Sequence, residues 1–166
     1  HYLFNTESNP RGDKAYKVRD DLRARLIAAL KRGAGTSGPH VLVSHSMGTI
    51  ISYDVLRNCP ECPPIDGLVT LGSPLGLDEV QDKLKPPGES HVDFPSQTLR
   101  GRWVNVFDRL DPVAGFNPYF ANDYQKNGRR VVNDIKEQNW GEWRHSIQKY
   151  LSGPRFRAEL RGMLGL

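Results

Sequence analysis

The stretch His40-Val41-Leu42-Val43-Ser44-His45-Ser46-Met47-Gly48-Thr49 joins a short apolar run to a pattern that turns helical. Val41 to Val43 carry no polar alternation, which predicts a strand buried on both faces, as in a parallel sheet. Ser44 to Gly48 are compact enough for a tight turn, and from Thr49 the periodicity is helical through Leu56, stopping before Cys59-Pro60. Upstream, Lys14 to Arg32 reads as an amphipathic helix, with Val18, Leu22, Leu26, Ile27 and Leu30 on one stripe. Downstream, Gly67 to Gly72, Arg102 to Phe107 and Arg130 to Ile135 read as strands, and Arg144 to Leu151 and Arg155 to Leu164 as helices. Strands separated by helices and long connections predict an α/β fold, a mainly parallel sheet flanked by helices. Residues 1–166 are taken as one domain. Its Pro-rich, aperiodic stretch over 78–101 is either a lid or a surface loop.

Composition narrows the partners. The 166 residues are 37% hydrophobic and 25% charged, with a formal net charge of +4. No apolar run approaches the roughly 20 residues of a membrane helix, so no integral membrane segment is expected. The densest basic stretch, Arg144 to Arg161, alternates with apolar residues at helical spacing, which reads as a solvated helix face; no nucleic-acid partner is expected. Cys59 and Cys62 stand in a Pro-rich turn at a helix end, not at a helix start, and no second pair exists to complete a zinc site. They read as turn cysteines, and neither a metal nor a cofactor is expected. Arg11-Gly12-Asp13 reads as a turn. His1-Tyr2-Leu3-Phe4 resembles the middle of a strand and lacks a leader pattern. The expectation is a piece of a longer protein, with no compartment indicated beyond a cytoplasmic default.

A serine between a buried strand and a helix, with small residues two positions away on each side, fits a nucleophile elbow. Here the serine is Ser46 and its small neighbours are Ser44 and Gly48. A free hydroxyl is a weak nucleophile and needs an adjacent base, while the Met47 N–H is placed to hold a developing oxyanion. Ser44 and Ser46 can also be read as a helix N-cap pair. The base should follow the serine with an acid between them. His145 follows the fourth strand and opens a helix, with His91 in reserve; Asp111, stiffened by Pro112, is the preferred acid over Asp108.

Together, Val41 to Gly48, Leu71 to Leu77, Asp108 to Val113 and His145-Ser146 resemble the α/β-hydrolase superfamily, in particular its bacterial esterase- and lipase-like members. The resemblance implies a Ser46–Asp111–His145 triad, an acyl-enzyme on Ser46, and hydrolysis of a small-molecule carboxylic ester or thioester without a metal. It also implies a substrate pocket near His45, Ser73, Pro74 and Leu75, lined by the Gly72-Ser73-Pro74 turn, which can also be read as a simple strand-ending turn. The first position of the elbow departs from the usual glycine. The family's first strands and its second oxyanion donor should precede the elbow by much more than forty residues. The expectation is either that they lie outside this sequence or that the fold is incomplete. An acyltransferase with the same triad and a non-catalytic domain of the same fold are the alternatives.

Overall fold

The computed structural model describes residues 1–8, 15–86 and 88–166; Arg11-Gly12-Asp13 lies outside them. A short antiparallel pair, β1 (Glu7–Ser8) and β2 (Tyr16–Lys17), precedes helix α1 (Val18–Gly33). Then follow β3 (Val41–His45), α2 (Met47–Asn58), β4 (Ile65–Leu71), α3 (Asp78–Leu84), β5 (Leu99–Phe107), β6 (Val132–Lys136), α4 (Ile147–Ser152) and α5 (Pro154–Leu164). The main sheet has four strands in the order β3-β4-β5-β6, every neighbouring pair parallel. The architecture is α/β, a parallel sheet flanked by helices.

Alternation along the strands feeds two cores. Leu68 of β4 and Trp103 of β5 face the larger one, together with Ile50, Tyr53 and Leu56 of α2 and Ile27 and Leu30 of α1. Val69 and Leu71 of β4 and Val104 and Val106 of β5 face the smaller, closed by Tyr150 of α4 and Phe156 of α5. The central strand β4 and the second half of β5 are therefore buried on both sides, which is why their sequences show no polar alternation. Trp103 is fully buried, stacked on Tyr53 at 5.9 Å and tilted against Tyr124 at 5.0 Å, and its indole N–H donates to Thr70 Oγ1 at 3.1 Å.

Three sequence expectations change. Tyr2 to Asn5 form a turn, not a strand, closed by Asn5 N–H donating to the Tyr2 carbonyl at 3.0 Å. Helix α1 begins at Val18, because Tyr16 and Lys17 pair with β1. The stretch 78–101 is not aperiodic throughout: it opens with α3 and ends in β5, and Val80, Leu84, Val92, Phe94 and Leu99 are core residues. Its Asp93 exchanges hydrogen bonds with the Tyr53 hydroxyl on α2. Cys59 and Cys62 are buried free thiols, and burial raises both pKa values, that of Cys62 to about 11. Among the described residues no helix is long and apolar enough to cross a membrane.

A polar knot fastens the first residues to α2. The Tyr2 hydroxyl donates to Asp54, Arg23 of α1 grips the same carboxylate with two bonds of 2.7 Å, and Asn58 adds a fourth at 2.8 Å. The Asp54 side chain is 4% exposed. Removing one partner of a buried pair strands the other charge and costs about 3–5 kcal/mol. Asp54→Ala is expected to lower unfolding free energy by about 3 kcal/mol in urea titrations, near the low end because Arg23 reaches solvent.

Candidate active site

In an all-parallel sheet the carboxyl ends of the strands share one edge, where ligands of open α/β sheets collect. The β3–α2 turn, the loop after β5 and the loop after β6 all open there, and they carry Ser46, Asp111 and His145 respectively.

Ser46 sits at the turn with φ 55° and ψ −131°, a region that non-glycine residues avoid at a cost of order 1–3 kcal/mol. The backbone is pinned on both sides. Ser46 N–H donates to the Leu71 carbonyl at the end of β4 at 3.0 Å; its own carbonyl accepts Thr49 N–H at 2.9 Å and the Thr49 hydroxyl at 2.6 Å. Because the Thr49 proton is committed, Ser73 donates its hydroxyl to Thr49 Oγ1 at 2.8 Å, extending the brace to the turn after β4. Ser46 occupies the N-cap position of α2, yet its side chain makes no capping bond. Its Oγ lies 2.8 Å from His145 Nε2.

His145 Nδ1 lies 2.9 Å from both oxygens of Asp111. Burial alone would raise the Asp111 pKa, but hydrogen bonds from Tyr150, His145 and Val113 N–H outweigh it and hold the carboxyl below its ordinary value. An ionised carboxylate only accepts, so Nδ1 carries a proton and Nε2 is left to receive the Ser46 hydroxyl. Hydroxyl, imidazole and carboxylate thus form one continuous chain. Such a chain can take the serine proton as the oxygen attacks and hold the cation that results. Met47 N–H is the first amide of α2 and has no intrahelical acceptor.

The reserve residues do other work. Asp108, 3% exposed, accepts Leu110 N–H at 2.7 Å, Asn139 N–H at 2.6 Å and Arg144 Nη1 at 3.2 Å. It therefore anchors the loop that carries His145. His91 is exposed, beside Ser90 and Asp93.

Of the residues expected to line a pocket, His45 is half-buried and donates Nε2–H to the His145 carbonyl at 2.8 Å, with the two rings 4.6 Å apart. Burial, then the nearby His145, lowers its pKa and favours the neutral ring. Ser73 and Leu75 are buried and contribute no open surface; Pro74 is partly exposed. The small-flank argument holds only in part, since a Cβ on Gly48 would stand 4.0 Å from Ser44 Cβ, an ordinary contact. The tight glycine is Gly72, at φ 53°. A Cβ there would meet Asp111 Oδ2 and Tyr150 Cε2 at 2.9 Å and His145 Nδ1 at 3.3 Å. The sequence places Gly72 in a pocket-lining turn but does not show it as the floor beneath Asp111 and His145; its signal is a glycine directly after a buried strand.

No protein-family model, curated protein or solved structure matches this chain. Among the described residues no three His, Cys, Asp or Glu side chains gather as a metal site.

Two outcomes follow from this geometry. Ser46→Gly relieves the positive φ, so it should equal or exceed Ser46→Ala in stability, reversing the usual glycine deficit of about 0.5–1 kcal/mol; denaturant midpoints compare them. Asp111 and Asp54 both have folded pKa values below the unfolded value of about 3.9. On acidification the unfolded chain binds protons first. The stability they lend is full above the unfolded value and is lost as pH falls through the folded ones. Asp111→Asn and Asp54→Asn should each flatten the acid side of the stability–pH curve.

Proposed function

We propose that this chain is a serine hydrolase that cleaves carboxylic esters or thioesters through an acyl-enzyme on Ser46, within an α/β-hydrolase-like fold. The observation that carries the reading is the unbroken hydrogen-bond chain from Ser46 Oγ through His145 to a buried, ionised Asp111, on a serine held at positive φ. Ser46 Oγ attacks the acyl carbon while its proton passes to His145 Nε2; Met47 N–H faces the oxyanion. Collapse of the tetrahedral adduct breaks the bond to the alcohol or thiol, which leaves with that proton. Water then gives a proton to His145, attacks the acyl-serine carbon, and releases the carboxylic acid as the proton returns to Ser46. Asp111 keeps the imidazole in the tautomer that both steps require.

The exposed apolar side chains beside the site fit an acyl group. Met47 follows Ser46, Leu110 precedes Asp111, and Trp143 and Ile147 flank His145; all four are exposed.

A fluorophosphonate should label the protein at Ser46, and Ser46→Ala should abolish labelling and lower p-nitrophenyl ester turnover by about 10⁴-fold or more. Equal labelling of the Ser46→Ala protein would overturn the assignment.

A further inference from the structure

Resting on that reading of Ser46, His145 and Asp111, we propose that Tyr150 is a positioning residue of the site, whose hydroxyl orients the Asp111 carboxylate and takes a share of its charge. Asp111 has a side chain with no exposed surface. Its Oδ1 accepts Val113 N–H at 2.8 Å and Ala114 N–H at 3.3 Å, which fixes one end of the carboxylate. Its Oδ2 receives the Tyr150 hydroxyl at 2.6 Å. Among the described residues Tyr150 and His145 are the side chains that donate to this carboxylate. Without the phenol, Oδ2 would keep only its contact with His145, and the carboxylate would be free to rotate about its Oδ1 anchor.

The phenol is itself well held. Tyr150 is fully buried in the smaller core with Val69, Leu71, Val104, Val106 and Phe156. Its oxygen also accepts Asp108 N–H at 3.0 Å. One hydroxyl therefore joins both ends of the Asp108–Asp111 turn to α4, the helix that begins two residues after His145. Burial and the adjacent Asp111 raise the Tyr150 pKa, so the group stays protonated and remains a donor. Gly72 leaves the room for this arrangement, since its missing Cβ would touch both Tyr150 and Asp111.

A hydrogen bond to a carboxylate draws charge from it. The other ionisable groups facing Asp111, His145 and Tyr150 are His45 of β3 and Asp108; the Arg144 guanidinium is turned to Asp108. With the phenol gone, more negative charge faces Nδ1 of His145 and the imidazolium is favoured. The imidazole must be neutral to take the Ser46 proton, so the acid limb of the reaction should move to higher pH. Loss of orientation should lower the rate above that limb as well.

The test follows the rate of Ser46 modification by a fluorophosphonate, and kcat and KM for a p-nitrophenyl ester, across acidic and neutral pH. Tyr150→Phe is expected to lower kcat by about tenfold to hundredfold with little change in KM, and to shift the acid limb upward. Site-specific replacement of Tyr150 by a fluorotyrosine keeps the ring and strengthens the donor; it should move the limb the other way, and it serves if the Phe variant does not fold. A limb that stays in place in a folded Tyr150→Phe protein, whether or not kcat falls, overturns the proposal. So does a limb unmoved by fluorotyrosine. Wild-type protein that is not labelled at Ser46 would instead remove the nucleophile on which this inference rests, whereas normal labelling with an unmoved limb removes the role of Tyr150 alone.

Discussion

The backbone of Ser46 is the constraint from which the site is built. A residue with a Cβ is held at positive φ because the chain must leave β3 and enter α2 within a single residue. Two neighbours make that conformation affordable: the Leu71 carbonyl at the end of β4, and Thr49, whose amide and hydroxyl both bind the Ser46 carbonyl. The parallel register of β3 and β4, which sets His45 opposite Leu71, brings the first of these into place. In this conformation Oγ forms no capping bond, and the hydroxyl meets His145 instead.

The partners of Ser46 come from loops that are themselves braced by charge. Asp108 and Arg144 tie the loop after β5 to the loop after β6, and Asn139 completes the tie by donating Nδ2–H to the Arg144 carbonyl at 2.6 Å. His145 follows immediately. His45, next to Ser46 in sequence, holds the His145 carbonyl across 100 residues of chain. Beyond α4, Glu137 accepts Arg155 N–H at 3.0 Å and Phe156 N–H at 3.3 Å. This carboxylate caps the first turn of α5, where a negative charge suits the helix dipole, and ties the strand after which the His145 loop begins to the terminal helix.

Much of this was legible in the sequence because it is periodic or local. Continuous apolar runs mark three strands of the main sheet and a shorter, more polar run the fourth, and the order of serine, acid and histidine along an α/β chain singled out three residues that the structure brings into contact. Short elements were harder. Helix α3 carries only seven residues between prolines and charges, and the Tyr2–Asn5 turn is held by a distant carboxylate, Asp54, that no window around it contains. Tyr150 was hidden for a related reason: it reads as one more apolar position of a terminal helix, and only the packing of α4 against β4 and β5 turns its hydroxyl towards Asp111. Gly72 reads as a strand-ending turn until two loops close over it.

Three aspartates are buried among the described residues, and comparing their partners explains why one of them suits a histidine. Asp54 spends its charge on the bidentate guanidinium of Arg23, and Asp108 spends part of its own on Arg144. Asp111 is as deeply buried as either, yet apart from His145 its hydrogen bonds come from neutral donors, two backbone amides and a phenol. Neutral donors stabilise the ionised form and draw off only part of its charge, where a cation would cancel it. The negative potential is therefore retained, in a site from which solvent is largely excluded, for whatever cation forms next to it. The group in contact with both oxygens is the His145 ring, whose cationic form is the one the proposed proton transfer from Ser46 would create. A guanidinium in the place of Tyr150 would hold Asp111 at least as firmly and would leave it much less charge to offer.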